Sequence, residues 1–493
     1  MSLSISAVAA ELPPGASWAF VSRDPLVRTA VEHYTAGHLS AALKLLEGKS
    51  VQDIAARDEL IEVIRRYRRE YSQTRPQLLS ALRKSIPDIT DADLDRWIAA
   101  GQVQCREIDG EVLFFRREPG QILRFCKEAM ERKAAATKPA PDTDTDASSK
   151  RWTRLAHLAE IIAAANASDA QEVLPTRTRV NYSLTVKPNA RAKTGSRLRV
   201  WLPFPQDYAR QSNVRLLNSE PGEARVAESA SDGQTIAGPA QRTVYLEQTI
   251  DNPALPIRFA IEFEYDTSAL YPTLDDATAA EALRGSGVGV HANYLAERPP
   301  HIVFTPELKA RVDEIVGRET NPLAKARKIF HWLDEHLPWT PEEEYCVIPN
   351  LSMHGLQRGK GDCGVASMLF ITMCRIAGVP ARWQSGWTTH PVGWNMHDWA
   401  EIHVAPWGWI PVDASYGRQK SDDPAIRDFY FGHTDSHRLI VNLDYGHPLS
   451  PLKKSFRSEP LDFQRGEVEL DGHNLYFDEW DYQFAFEHTP IKR

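Results

Sequence analysis

The chain lacks most of the features that would mark it as a membrane, nucleic-acid or disulfide-stapled protein. It has no apolar run approaching the ~18–20 residues of a membrane helix, so no span is predicted. It has no excess of positive charge: 58 Lys and Arg stand against 66 Asp and Glu, a net charge of −8 that argues against general nucleic-acid affinity. Cysteine is scarce. Cys105, Cys126, Cys346, Cys363 and Cys374 are odd in number and widely spaced, offering neither a disulfide framework nor a CxxC metal pair. Internal repeats are absent as well. What is present is the composition of an ordinary globular protein, 42% hydrophobic and 25% charged over 493 residues, long enough for about three domains.

The most informative stretch opens at Gly361-Asp362-Cys363-Gly364. Val365, Met368, Leu369, Thr372 and Ile376 recur at helical spacing, and Gly378-Val379-Pro380 stops the pattern. Cys363 therefore opens an amphipathic helix, where the positive end of the macrodipole and unpaired N–H groups favour thiolate over thiol. A histidine comes next in His397-Asp398-Trp399-Ala400-Glu401, and an aspartate in Gly408-Trp409-Ile410-Pro411-Val412-Asp413. Cysteine, histidine, aspartate is the order of a thiol acyl-transfer triad. Most lone cysteines on helices are small buried hydrophobes, and Cys374 reads that way. His354, His390 and His403 read as ordinary histidines. Asp398 and Asp362 compete with Asp413 for the acidic role. Asp398, however, should point to the opposite strand face from His397, and Asp362 reads as a helix cap.

These elements resemble the transglutaminase-like (papain-like cysteine enzyme) superfamily, bacterial multidomain type. Gly361-Asp362-Cys363, Gly378-Val379-Pro380-Ala381-Arg382, His397-Asp398-Trp399-Ala400-Glu401 and Gly408 to Asp413 stand in the family's order. The resemblance covers roughly residues 300–420. It implies a papain-like α+β core with Cys363 as nucleophile, His397 as base and Asp413 as orienting acid. It also places Trp339 where relatives carry an aromatic residue, which makes its indole N–H a candidate oxyanion donor, with Trp399 a second candidate in the cleft. The backbone N–H of Cys363 is a further donor by position.

The chemistry stands without the resemblance. A thiol attacking an amide splits one hard step into two through a thioester. Histidine relays the proton, and a carboxylate on its other nitrogen fixes the tautomer. Residues 397–404 and 408–414 read as a hairpin. If His403 pairs with Trp409, then Ile402 faces Ile410 and Ala400 faces Val412, leaving His397 diagonal to Asp413 on the other face. An odd-length loop or a bulge is expected between the two strands.

Elsewhere, residues 20–137 read as a helical, winged-helix-like domain. Its helices are expected at Leu26 to Leu46, Arg57 to Tyr71, Arg75 to Ser85 and Asp91 to Ala100, with a hairpin after them turning on Asp109-Gly110. Asp91, Asp93 and Asp95 would repel phosphate, and Arg65, Arg66, Arg68 and Arg69 read as a solvated face. Residues 138–150 read as a linker whose acidic run lacks the glycine and closing glutamate of a calcium loop. A β-sandwich with a leading helix is expected at 151–272, the catalytic core at 273–424 and a C-terminal β extension of short strands at 425–493. The fold class is thus multidomain α+β.

The expected function is a transglutaminase-like thiol enzyme attacking peptide or protein amides, with transfer to an amine or hydrolysis by water. The alternative is a catalytically silent peptide- or protein-binding module of the same fold. No cofactor, no metal and no nucleic-acid partner are expected. Ala7-Val8-Ala9 looks like the small-residue end of a signal peptide, although the basic start and apolar core are missing. Export is the expected location, and the cytoplasm the alternative.

Overall fold

The computed structural model describes residues 19–47, 50–136, 152–230, 238–285 and 291–492. The expected linker and the signal-like N-terminus lie outside them. The chain is a mixed α/β structure with several antiparallel sheets, and it divides into two compact units. One comprises Ser17–Arg151 with Thr340–Pro349, and the other comprises Trp152–Trp339 and Asn350 onward.

In the first unit the expected long helix at Leu26 to Leu46 is two helices, Pro25–Thr35 and Leu39–Leu46. The break falls at Gly37, whose φ of 82° suits glycine; a Cβ there would meet the Glu107 carbonyl oxygen at 2.1 Å. Thr90 caps Asp91–Ala99 through a capping box, and Asp109-Gly110 form a two-residue turn, both at positive φ, between strands Cys105–Ile108 and Glu111–Phe115. Arg66 is not on a solvated face. It is 2% exposed and reaches Cys346 Sγ at 3.4 Å. The segment Thr340–Pro349 is held within this unit by polar bonds. Tyr71 Oη and Gln104 Nε2 donate to Glu343 Oε1 at 2.7 and 2.6 Å, and Tyr34 Oη donates to the Val347 carbonyl at 2.7 Å.

The second unit is built from three sheets, the buried helix Cys363–Ile376 and further helices, among them Arg154–Ser168, Pro306–Val316 and Pro322–His336. Two sheets form a sandwich. One has the strand order His473–Leu475, Glu467–Leu470, Arg197–Pro203, Thr243–Thr249, Arg225–Val226; the other runs Trp480–Pro490, Glu172–Val186, Ile257–Leu270, Gln211–Glu220. Val180, Leu184, Val200, Leu202, Phe259 and Phe263 fill the space between them. The C-terminal residues, expected as a β extension of short strands, complete this sandwich: Trp480–Pro490 pairs with Glu172–Val186 along its whole length. Such pairing joins residues some 300 positions apart, and local periodicity carries no trace of it.

The third sheet has the order Gly408–Val412, Gly393–Val404, Ala381–His390, Arg438–Asn442. Its register is the expected one, with His403 opposite Trp409, Ile402 opposite Ile410 and Ala400 opposite Val412, and a three-residue loop between the strands. Gly386 lies opposite His397, and a Cβ there would meet the Leu439 carbonyl oxygen at 1.9 Å. The helix Cys363–Ile376 was expected to be amphipathic, but every residue from Gly364 to Arg375 is buried. A helix that is apolar nearly all round belongs in a core, and two of its polar side chains are bonded there: Ser352 Oγ lies 2.7 Å from Thr372 Oγ1, and Arg375 Nε donates to the Ala381 carbonyl.

This packing has two testable consequences. Gly386→Ala should destabilise the fold by several kcal/mol, since backbone must move; an unfolding midpoint within error of the parent would contradict the tight approach. Burial pushes His301 and His437 down to about 3. Their neutral forms are the native ones, so stability is complete above the unfolded value near 6.5 and declines as pH falls below it, by about 1.4 kcal/mol per pH unit for each. Buried Glu70, Glu459 and Asp462, all pushed upward, act in the opposite sense. Urea titrations between pH 7 and 5 isolate the histidine effect in a variant: His301→Gln should show a shallower loss with acid than the parent, and an equal slope would contradict the assignment.

Candidate active site

Cys363 opens its helix because Asp362, in extended conformation, caps it and accepts from Val365 N at 3.2 Å. Gly361 ahead of it is closely packed: a Cβ would lie 2.5 Å from Val365 Cγ1. Gly361 N donates to the Pro338 carbonyl, and Trp339 forms a bridge beside Gly361 with 41% of its surface open. Trp339 thus stands next to the chain two residues before the thiol.

The half-buried thiol donates to Asp398 Oδ2 at 3.3 Å and lies against the Asp398 backbone N–H. Asp398 Oδ1 accepts from Gln464 Nε2 at 2.8 Å, and the same nitrogen donates to the His397 carbonyl at 3.0 Å. Asp398 faces away from His397, as strand alternation requires, and its carboxylate is the one that reaches the sulfur. Among the described residues no hydrogen bond joins Sγ to the His397 ring.

His397 and Asp413 do meet. His397 Nε2 lies 2.7 Å from Asp413 Oδ2, and both side chains are 4% exposed. A carboxylate only accepts, so Nε2 carries the proton and Nδ1 is left as the basic nitrogen. Arg438 Nη2 donates to the same Oδ2 at 2.8 Å, and Tyr416 N donates to Oδ1 at 2.9 Å. The Tyr416 ring stacks on the imidazole at 4.4 Å. Trp399 commits its indole N–H to Gln384 Oε1 at 2.7 Å, so that donor is already used and is not offered to an oxyanion.

The electrostatics differ from the expected activated thiol. Burial pushes the Cys363 thiol well up, and Asp398 and Asp362 push it further; the helix terminus is opposed by two carboxylates. Burial also lowers His397, with Asp413 acting against that and Arg438 and Arg154 reinforcing it. The Asp413 carboxyl stays below its ordinary range despite burial, because His397, Arg438 and the Tyr416 N–H favour its charge. Among the described residues, no three His, Cys, Asp or Glu side chains converge as a metal site.

Arg438, Gln464 and Tyr416 were not singled out from sequence. Tyr416 carried a faint signal, lying three residues after an aspartate that can close a turn on its N–H. Arg438 and Gln464 carried none, because they arrive from the strand and loops beyond the core motifs.

Comparison with known proteins agrees with the core. The sequence profile of the transglutaminase-like superfamily core matches residues 309–414. An uncharacterized protein of Haemophilus influenzae is 27% identical over 178 residues, 29% of this chain and 48% of that protein; the chain thus spans about half the length of the curated relative it matches. Among solved structures, a candidate cysteine protease from Cytophaga hutchinsonii aligns with TM-score 0.42 and 12% identity, covering 65% of this chain and 93% of its own. The periplasmic domain of TgpA from Pseudomonas aeruginosa aligns with TM-score 0.25 and 15% identity, covering 51% of this chain and 91% of that one. Residues 309–414 thus form a core domain of the transglutaminase-like superfamily type.

Proposed function

We propose that the protein is a cysteine-dependent enzyme that attacks peptide or protein amides through a thioester, with Cys363 as nucleophile, His397 as base and Asp413 as the acid that orients it. The observation that carries this reading is the 2.7 Å bond between His397 Nε2 and Asp413, on a strand whose next residue bears on the Cys363 sulfur. In the reaction the Sγ–C bond forms as the thiol proton passes to His397 Nδ1. The C–N bond then breaks and the amine leaves with that proton. Water or a second amine attacks the thioester and restores the thiol. In this reading the backbone N–H of Cys363, at the helix start, and the indole of Trp339 receive the oxyanion.

The alternative reading, a silent binding module, draws on one specific observation: the thiol proton is donated to Asp398, not to the imidazole. Release of ammonia or of new peptide amino termini from a peptide library, with and without an added primary amine, separates the two. We expect turnover in the parent, its loss in Cys363→Ala with the fold retained, and nearly the same loss in His397→Ala. Asp413→Asn should lower the rate by about 10³–10⁴ and leave a residue of activity, since it misorients the imidazole without removing nucleophile or base. Parent and Cys363→Ala proteins that bind peptide equally and release neither ammonia nor new amino termini would favour the binding module. Turnover should also survive chelation; loss on chelator treatment that a divalent ion restores would count against a thiol–imidazole mechanism.

A further inference from the structure

Asp413 Oδ2 takes two donors at once, His397 Nε2 at 2.7 Å and Arg438 Nη2 at 2.8 Å. A carboxylate facing only a histidine would lend its whole charge to the imidazolium. Here a permanent cation shares the same oxygen. We infer that Arg438 is a positioning residue that neutralises Asp413, so that the resting site holds a neutral imidazole and a protonated thiol, not a thiolate–imidazolium pair. This rests on the roles proposed for Cys363, His397 and Asp413.

The arginine is built to stay where it is. Its side chain is 3% exposed, and its guanidinium lies over the rings of Tyr416 at 4.9 Å, Trp399 at 5.1 Å and Tyr430 at 5.5 Å. Its Nε is 3.7 Å from Asp435 Oδ2. Asp435 is itself fixed by Tyr430 Oη at 3.1 Å and the His437 N–H at 2.9 Å, with His390 Nε2 3.6 Å away. Arg154 adds a second cation behind the imidazole, 3.8 Å above the Tyr416 ring. The charged groups facing His397 are thus one carboxylate, Asp413, already paired, and two arginines. On the other side the sulfur faces Asp398 and Asp362; behind Asp398 lie Glu459, paired with Arg465, and Asp462, whose carboxyl burial pushes upward. Two cations flank the base, and two carboxylates face the acid. Both halves of the field oppose moving the proton from sulfur to nitrogen before a substrate arrives.

The consequence is a general-base mechanism. Sγ–H keeps its proton until the Sγ–C bond forms, and His397 Nδ1 takes the proton during that step and returns it to the leaving nitrogen. Arg438 touches no reacting atom. Its effect passes through Asp413.

The test reads protonation in the full-length protein, independently of turnover. Iodoacetamide labelling of Cys363 is tracked against pH by mass spectrometry, and His397 is titrated by NMR of histidine-labelled protein, with His397→Gln for assignment. In the parent, labelling should rise at or above the ordinary thiol value near 8.5. Arg438→Met should raise the His397 titration by about one pH unit or more and speed neutral-pH labelling by about tenfold. Arg438→Lys, which keeps the charge, should stay within about half a unit of the parent. Asp435→Asn leaves Arg438 wholly to Asp413 and should move His397 downward, opposite in sign to Arg438→Met. If Arg438→Met does not fold, the lysine and asparagine variants decide the matter alone. Labelling in the parent that rises below pH 7, or a His397 titration unmoved by any folded variant, would overturn the inference. Absent turnover with the titrations moving as stated would remove only the enzymatic reading.

Discussion

The candidate site depends on one buried carboxylate. Asp413 is 4% exposed at its side chain and accepts from His397, Arg438 and the Tyr416 backbone. An ionised carboxylate in a dry interior is tolerable only when its lone pairs are filled and its charge is matched. Each of its three partners comes from a different piece of chain. His397 comes from the strand paired with Gly408–Val412, Tyr416 from the turn just after it, and Arg438 from the strand on the far side of the sheet. The carboxylate therefore draws the hairpin, the turn and the edge strand Arg438–Asn442 to one point.

The strand bearing Arg438 belongs to the region beyond the core motifs, and that region does more than decorate. Gln464 holds both the Asp398 side chain and the His397 carbonyl, so it sets the strand position against which the sulfur rests. Further on, Glu467–Leu470 and Trp480–Pro490 enter the two sandwich sheets. Trp387, on the strand next to His397, packs into the sandwich interior and stacks on Phe484 at 4.1 Å. The sandwich and the core sheet share an interior, and the C-terminal segments belong to both.

How much of this was legible depended on whether its cause was local. The Cys363 cap, the Asp109-Gly110 turn and the hairpin register are written in neighbouring residues, and each appeared as expected. The His397–Asp413 meeting came from that register, because sorting Ile402 with Ile410 and Ala400 with Val412 leaves one arrangement of the opposite face. The Gly37 break was missed because an alanine- and leucine-rich run masks a single glycine. The full burial of Cys363–Ile376 was missed because the periodic pattern does not reveal a second covering layer. The charge on the thiol was misjudged for a related reason. The helix terminus is visible in sequence, while burial first and then the carboxylates of Asp398 and Asp362 act through space against it. Arg438, Gln464 and the sandwich strands act across long sequence separations that periodicity does not record.

The central claim is that Cys363 carries an acyl group. Intact-protein and peptide mass spectrometry on protein mixed briefly with an amide substrate and quenched in acid tests it directly. The proposed mechanism predicts a mass gain equal to the acyl group, less the departed amine, on the tryptic peptide containing Cys363, discharged by hydroxylamine and missing from Cys363→Ala. An adduct on another cysteine, or one that persists in Cys363→Ala, would contradict it.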